Sequence, residues 1–252
     1  MSYPYYGPAY GQPQPYGPPN GHPPGPYPPQ GPPPAPTPHI DIQALQNESL
    51  DEARLNLRVI MNNDPSTLGT DKLAYSVNPG LTALIVRRLP DPSKSVLLDK
   101  RHTHRWGCTK ADLWGMALAN MAYEPVDVRT FETDADTLVC AVMGQGWPGA
   151  AHVMRLPEIV REPMPFGAIL MMPNSNTLLY AVLRSQRSRP LISLLFNTAM
   201  SLADGDLFVD QMLWWREGKL RGMSARPDPG GGVQLRQDKE FTFLLDHELP
   251  AY

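Results

Sequence analysis

The order of segments in this chain predicts an α+β fold, a mainly antiparallel sheet packed by three to four helices, preceded by a disordered arm. Two observations predict the body: turn-forming residues separate short β-branched runs, and capped stretches carry apolar residues at helical spacing. A third predicts the arm. The first 38 residues contain no Asp, Glu, Lys or Arg, and 28 of them are Pro, Tyr or Gly. A segment of that composition cannot bury a core. The organisation expected is therefore a Pro/Tyr/Gly-rich tail over 1–38 and a single α+β domain over 39–252, with its core at about 49–223.

The arm holds sixteen of the thirty prolines. Proline fixes φ and removes backbone donors, which favours polyproline II, while six glycines break the run into joints. At ~3.1 Å per residue the extended limit is roughly 100 Å. It reads either as a spacer or as a sticky tether, in which Tyr5, Tyr6 and Tyr10 contact a partner and the proline runs dock into aromatic grooves. The spacer is the ordinary reading of such a composition.

Within the body, Ser49-Leu50-Asp51-Glu52 has the form of a capping box. Leu50, Ala53, Leu57, Ile60 and Met61 follow at helical spacing, so a helix is expected up to Asn62-Asn63-Asp64-Pro65. Extended segments are expected at about 72–77, 81–89 and 95–99, split by Asn78-Pro79-Gly80 and Pro90-Asp91-Pro92. A second helix starts at Thr109, capped by Thr109-Lys110-Ala111-Asp112 and buried through Leu113, Met116, Ala117 and Met121. Residues 126–132 and 137–143 read as a hairpin.

Helical turns around 150–162, disturbed at Pro157, come next. Strands at 168–172 and 177–183 flank the Pro173 turn. Pro190 suits the first turn of a helix that runs to Ala203. A hairpin over 212–223 turns at Glu217-Gly218 and sets Trp215 opposite Leu220. Residues 224–239 read as a loop and 241–245 as a last strand.

Charge and cysteine content narrow the function classes. A net charge of -3 with a pI near 6.1 argues against nucleic-acid binding, which draws on a basic excess. Cys108 and Cys140 are the only cysteines, too few for a disulfide framework or a four-cysteine metal site, and they suit a reducing compartment. No signal-peptide pattern opens the chain and no apolar run reaches the ~20 residues of a spanning helix, so a cytoplasmic protein without membrane insertion is expected.

The strand and turn Leu81–Pro92, the run Trp106-Gly107-Cys108-Thr109 leading into Leu113–Asn120, and Pro173-Asn174-Ser175-Asn176-Thr177-Leu178-Leu179 together resemble the YtpQ-like family of uncharacterised bacterial proteins. The resemblance covers most of residues 80–220. It implies a cytosolic α+β domain and supplies no activity, cofactor or catalytic residue. Ser175 stands where that family's Pro-Asn turn usually carries a basic residue, and the Pro-rich arm is an addition.

Three constellations are candidates for chemistry or binding. Gly144-Gln145-Gly146-Trp147-Pro148-Gly149 satisfies G-x-G-x-x-G after a strand, so Gly144, Gly146 and Gly149 are the candidate dinucleotide loop. Pro148 removes an amide from the helix entrance, the strand before it looks hairpin-paired, and no acid stands ~20 residues on at a strand end; a glycine turn is the plainer reading. His102, His104 and Cys108 would share a face if they lay on a strand, as a zinc site needs, although Arg101 and Arg105 place positive charge beside them.

Trp214 and Trp215 point to opposite faces of a strand, and an exposed one would suit an interface. Arg87 and Arg88, with Arg184, Arg187 and Arg189, read as solvated ends of elements. No nucleophile elbow or phosphate loop occurs. The function expected is a non-catalytic interaction or scaffold domain with an unknown protein partner and no cofactor. The alternative is an enzyme with its site at His102/His104/Cys108, with His152 as a further base, or at the Gly144–Gly149 turn. Oligomeric state is left open.

Overall fold

The computed structural model describes residues 47–251 apart from 92–93, 135–136, 204, 231 and 237–238. The arm, with Tyr5, Tyr6 and Tyr10, lies outside the described residues. The body is α+β, built on two antiparallel sheets.

The first sheet contains β1 (Leu57–Asn62), β2 (Ala74–Asn78), β3 (Leu81–Arg88) and β4 (Ser95–Leu97). β3 is central, with β1 on one side and both β2 and β4 on the other. The helix expected over 49–61 is corrected here. The capping box forms, but the helix it starts is only α1 (Leu50–Ala53) with a 3-10 turn at Arg54–Asn56. Residues 57–62 instead pair with Thr82–Arg87, which buries Leu57, Val59 and Met61. Tertiary pairing thus overrides a spacing that fits a helix equally well.

Asp99 caps α2 (Lys100–Trp106), which ends at Gly107 in the left-handed region. Thr109 caps α3 (Lys110–Met121), as expected, and Leu113, Ala117 and Met121 are its buried side. α3 packs on β1.

The second sheet runs in the order β11-β10-β9-β7-β8-β6-β5. Its members are β5 (Val126–Asp134), β6 (Thr137–Gly144), β7 (Ala168–Asn174), β8 (Thr177–Val182), β9 (Gln211–Arg216), β10 (Lys219–Pro227) and β11 (Val233–Arg236). A 3-10 segment at Gly149–Arg155 and the short α4 (Leu156–Val160) follow β6, and α5 (Pro190–Leu202) follows β8. The Glu217-Gly218 turn has positive φ at both residues, and Trp215 pairs with Leu220, as expected.

Two expectations near the end are corrected. β10 extends to Pro227 and β11 returns beside it, so 224–227 and 233–236, half of the expected loop, are sheet. Residues 239–248 are helical, as α6 (Lys239–Phe243) and a π turn, and bury Phe241, Leu244 and Leu245.

The core lies in two layers about the second sheet. One joins it to the first sheet and α3 through residues such as Val59, Ile85, Leu113, Val142, Leu170 and Leu213. The other joins its opposite face to α5 and α6 through residues such as Ile169, Leu179, Leu195 and Phe241. A sheet covered on both faces needs apolar residues without alternation. That is why β8, Thr177–Val182, is buried throughout.

Candidate functional site

The residues singled out for metal binding do not converge. His102 and His104 fall on α2, not on a strand, and residues two apart on a helix point in different directions. His102 completes the cap: its Nδ1 lies 2.9 Å from Asp99 Oδ1 and 3.2 Å from the Asp99 amide nitrogen. Its ring meets Trp106 edge-on. His104 is exposed and Cys108 half-buried beyond Gly107. Burial, with Asp112 nearby, pushes the Cys108 thiol pKa up, which disfavours the thiolate a metal or a nucleophile needs. Among the described residues no group of three or more His, Cys, Asp or Glu could hold a metal ion.

Asp99 is the strongly perturbed acid of this region. It is buried, and Arg101 together with His102 holds its carboxyl well below the usual carboxylate range against the opposing effect of burial. Its partners assign it to anchoring α2.

The glycine turn packs against its own backbone. β6 is antiparallel to both β5 and β8, so no βαβ unit surrounds it. A Cβ on Gly144 would meet Trp147 O at 1.7 Å, and one on Gly149 would meet Asn176 O at 2.2 Å. The turn is laced to the Pro173–Asn176 turn: Gly144 N donates to Asn176 O at 3.2 Å, Asn176 Nδ2 to Gly144 O at 3.2 Å, and Ala150 N to Ser175 O at 3.2 Å. Gly144 and Gly149 are therefore glycines because backbone approaches backbone. The amides that would cradle a pyrophosphate are turned to Asn176: Gly149 N donates to its Oδ1 at 3.2 Å.

A cleft of about 190 Å³ opens beside this turn, lined by Met61, Lys94, Ser95, Trp147, Pro148 and Ser175. Among the described residues that lining offers one ammonium and two hydroxyls, and no carboxylate or imidazole to serve as acid or base.

Where the first sheet meets the connection from α3 to β5 lies an ionic cluster that the sequence did not reveal. Glu124, just after α3, accepts from Arg58 Nε at 2.6 Å and from Arg88 Nη1 at 2.8 Å. Arg58 and Glu124 are buried, and Arg58 Nη1 also donates to the carbonyls of Leu55 and Leu57. Arg88 stands over the Trp147 ring, 5.8 Å from its centroid. Arg87 pairs with Glu48, with Nη2 2.6 Å from Oε1. The expectation that Arg87 and Arg88 are solvated ends is corrected, since Arg87 is drawn onto the half-buried Glu48 and Arg88 onto the buried Glu124.

Trp214 is fully buried on the α5–α6 side, edge-on to Phe241, and donates to Phe166 O at 3.2 Å. It is not available to a partner. Trp215, on the other face, is half-buried against the inter-sheet core.

The open surface lies elsewhere. β5 is the last strand of its sheet, and among the described residues no strand pairs with its outer edge. Val128 (45% exposed) and Phe131 (44%) stand on opposite faces of it, opposite Val142 and Val139, and Tyr123 (86%) precedes it. Asp127 and Arg129 flank Val128 on the strand, Arg129 Nε 2.9 Å from Asp127 Oδ2. A nine-residue strand whose outer edge no described strand covers, with apolar side chains at its rim, is built to accept another strand. The alternation Val126-Asp127-Val128-Arg129 is visible in the sequence; the open edge beyond it is not.

Comparison of the chain with family models, with curated proteins and with solved structures gives no match. Among the described residues no helix is long and apolar enough to cross a membrane.

Proposed function

We propose that this chain is a cytosolic bacterial protein of the YtpQ-like kind whose α+β body is a non-catalytic interaction domain, with the Pro/Tyr/Gly arm as its tether. The observation that carries the reading is the open outer edge of β5, where backbone hydrogen-bonding groups and the apolar side chains of Val128, Phe131 and Tyr123 are presented together. Strand addition draws affinity from the backbone and selectivity from alternate side chains, and both are available on this edge. The residues that carry the family resemblance fall on β3, on α3 with the turn before it, and on the β7–β8 turn.

The test is affinity capture from the native cells with the full chain, beside a Tyr123→Ser/Phe131→Ser variant of the same chain. The reading expects bound protein that the variant loses. Identical capture by both, or a small molecule carried through purification in place of a protein, overturns it.

A further inference from the structure

The geometry points to a second copy of this chain as the occupant of the β5 edge, paired antiparallel about a two-fold axis at Val128. The inference deepens the interaction reading and rests on it. β5 contains neither Pro nor Lys, the residues that most often blunt an exposed edge. Its charges instead make it self-complementary. Asp127 and Arg129 flank Val128 symmetrically, on one face and with opposite sign, so pairing centred on Val128 sets Asp127 opposite Arg129 of the second copy, and Arg129 opposite its Asp127.

The same register sets Val128 against Val128 and Val126 against Thr130. Directly opposed side chains of opposite charge stabilise an antiparallel pair and like charges destabilise it. A centre at Arg129 would oppose arginine to arginine, and a centre at Asp127 would oppose aspartate to aspartate. Charge thus selects one register out of the neighbouring three.

Such a contact is isologous and closes on itself, so it consumes the β5 edge of each copy and stops at two copies. The two seven-stranded sheets become one continuous sheet. Within one copy Arg129 already bonds Asp127, and both side chains reach water, so exchange of these partners across the axis leaves no buried charge uncompensated.

The experiment is sedimentation equilibrium of the full chain from about 1 to about 200 µM, a span wide enough to bracket a micromolar association. It compares the wild type, Asp127→Arg, Arg129→Asp and the double variant, with thermal melts to show that each is folded. Wild type is expected to be dimeric. Each single variant opposes like charges twice and weakens association roughly tenfold or more.

An equimolar mixture of the two single variants restores association, because the paired arginines of one copy then face the paired aspartates of the other. The double variant, with the two charges exchanged, restores it alone. Dimers in both single variants at wild-type strength, or no recovery in the mixture, overturn the inference. A wild type that stays monomeric at the highest concentration, yet captures a different protein through Tyr123 and Phe131, overturns the second copy and leaves the interaction reading standing. A monomer that captures nothing overturns both.

Discussion

Trp147 donates its indole N–H to the carbonyl oxygen of Val59 over 2.7 Å. The bond reaches from the glycine turn after β6 to β1, so it ties the second sheet to the first at a buried point. Trp147→Phe keeps most of the apolar area but leaves that carbonyl without its partner. A loss of about 1–3 kcal/mol is expected, the cost of an unsatisfied buried acceptor, read from the urea midpoint at unchanged slope.

Removal of the charge on Glu124 should cost more. Glu124→Gln leaves Arg58, buried and positive, without its counter-ion, and the expected loss is about 3–5 kcal/mol. A second substitution, Arg58→Met in that background, should recover part of the loss, because the uncompensated charge is what destabilises. Chemical denaturation of the single and double variants checks the order.

Gly149→Ala should be among the most damaging small substitutions in the chain. Its Cβ would stand 2.2 Å from Asn176 O and 2.9 Å from Val142 O, backbone atoms held by the bond from Gly144 N and by the pairing of β6 with β8. A loss of about 3 kcal/mol or more is expected. Gly218→Ala meets nothing within 4 Å and bears only the cost of its positive φ, about 1–2 kcal/mol. The difference in melting temperature between the two variants measures the contrast.

The same contrast separates what is legible in the sequence from what is not. Glu217-Gly218 is legible because a two-residue hairpin turn places its demand on the turn residues themselves. Gly149 closes a dinucleotide-loop pattern, but the demand on it comes from Asn176, 27 residues beyond, which local spacing cannot show. The capping boxes at Ser49 and Thr109 are readable for the same local reason as the hairpin turn. Leu57–Asn62 is not, since only its pairing with β3 decides between strand and helix. Glu124, Arg58 and Arg88 each look like ordinary surface charges until the fold brings them together.

Stability should depend on pH through His152. The ring is buried, neither nitrogen has a hydrogen-bond partner among the described residues, and burial, reinforced by Arg155 and opposed by Glu124, lowers its pKa to about 4. The unfolded chain binds that proton near pH ~6.5. The group is therefore neutral in effect above pH ~6.5, destabilises as pH falls below it, and reaches its full cost near pH ~4, at most about 3 kcal/mol. His152→Leu should lose about 2 kcal/mol less than wild type between about pH 7 and pH 5 in urea titrations. An equal loss in both proteins contradicts the assignment.

The most direct test of the β5 edge as the working surface is site-specific photocrosslinking in native cells. A photoreactive amino acid replaces Val128 in the full chain, and in a control it replaces Met200, exposed on α5. The expected result is a covalent adduct from position 128 at twice the mass of the chain, and none from position 200. Adducts from position 200 with none from position 128 would contradict a working surface at β5.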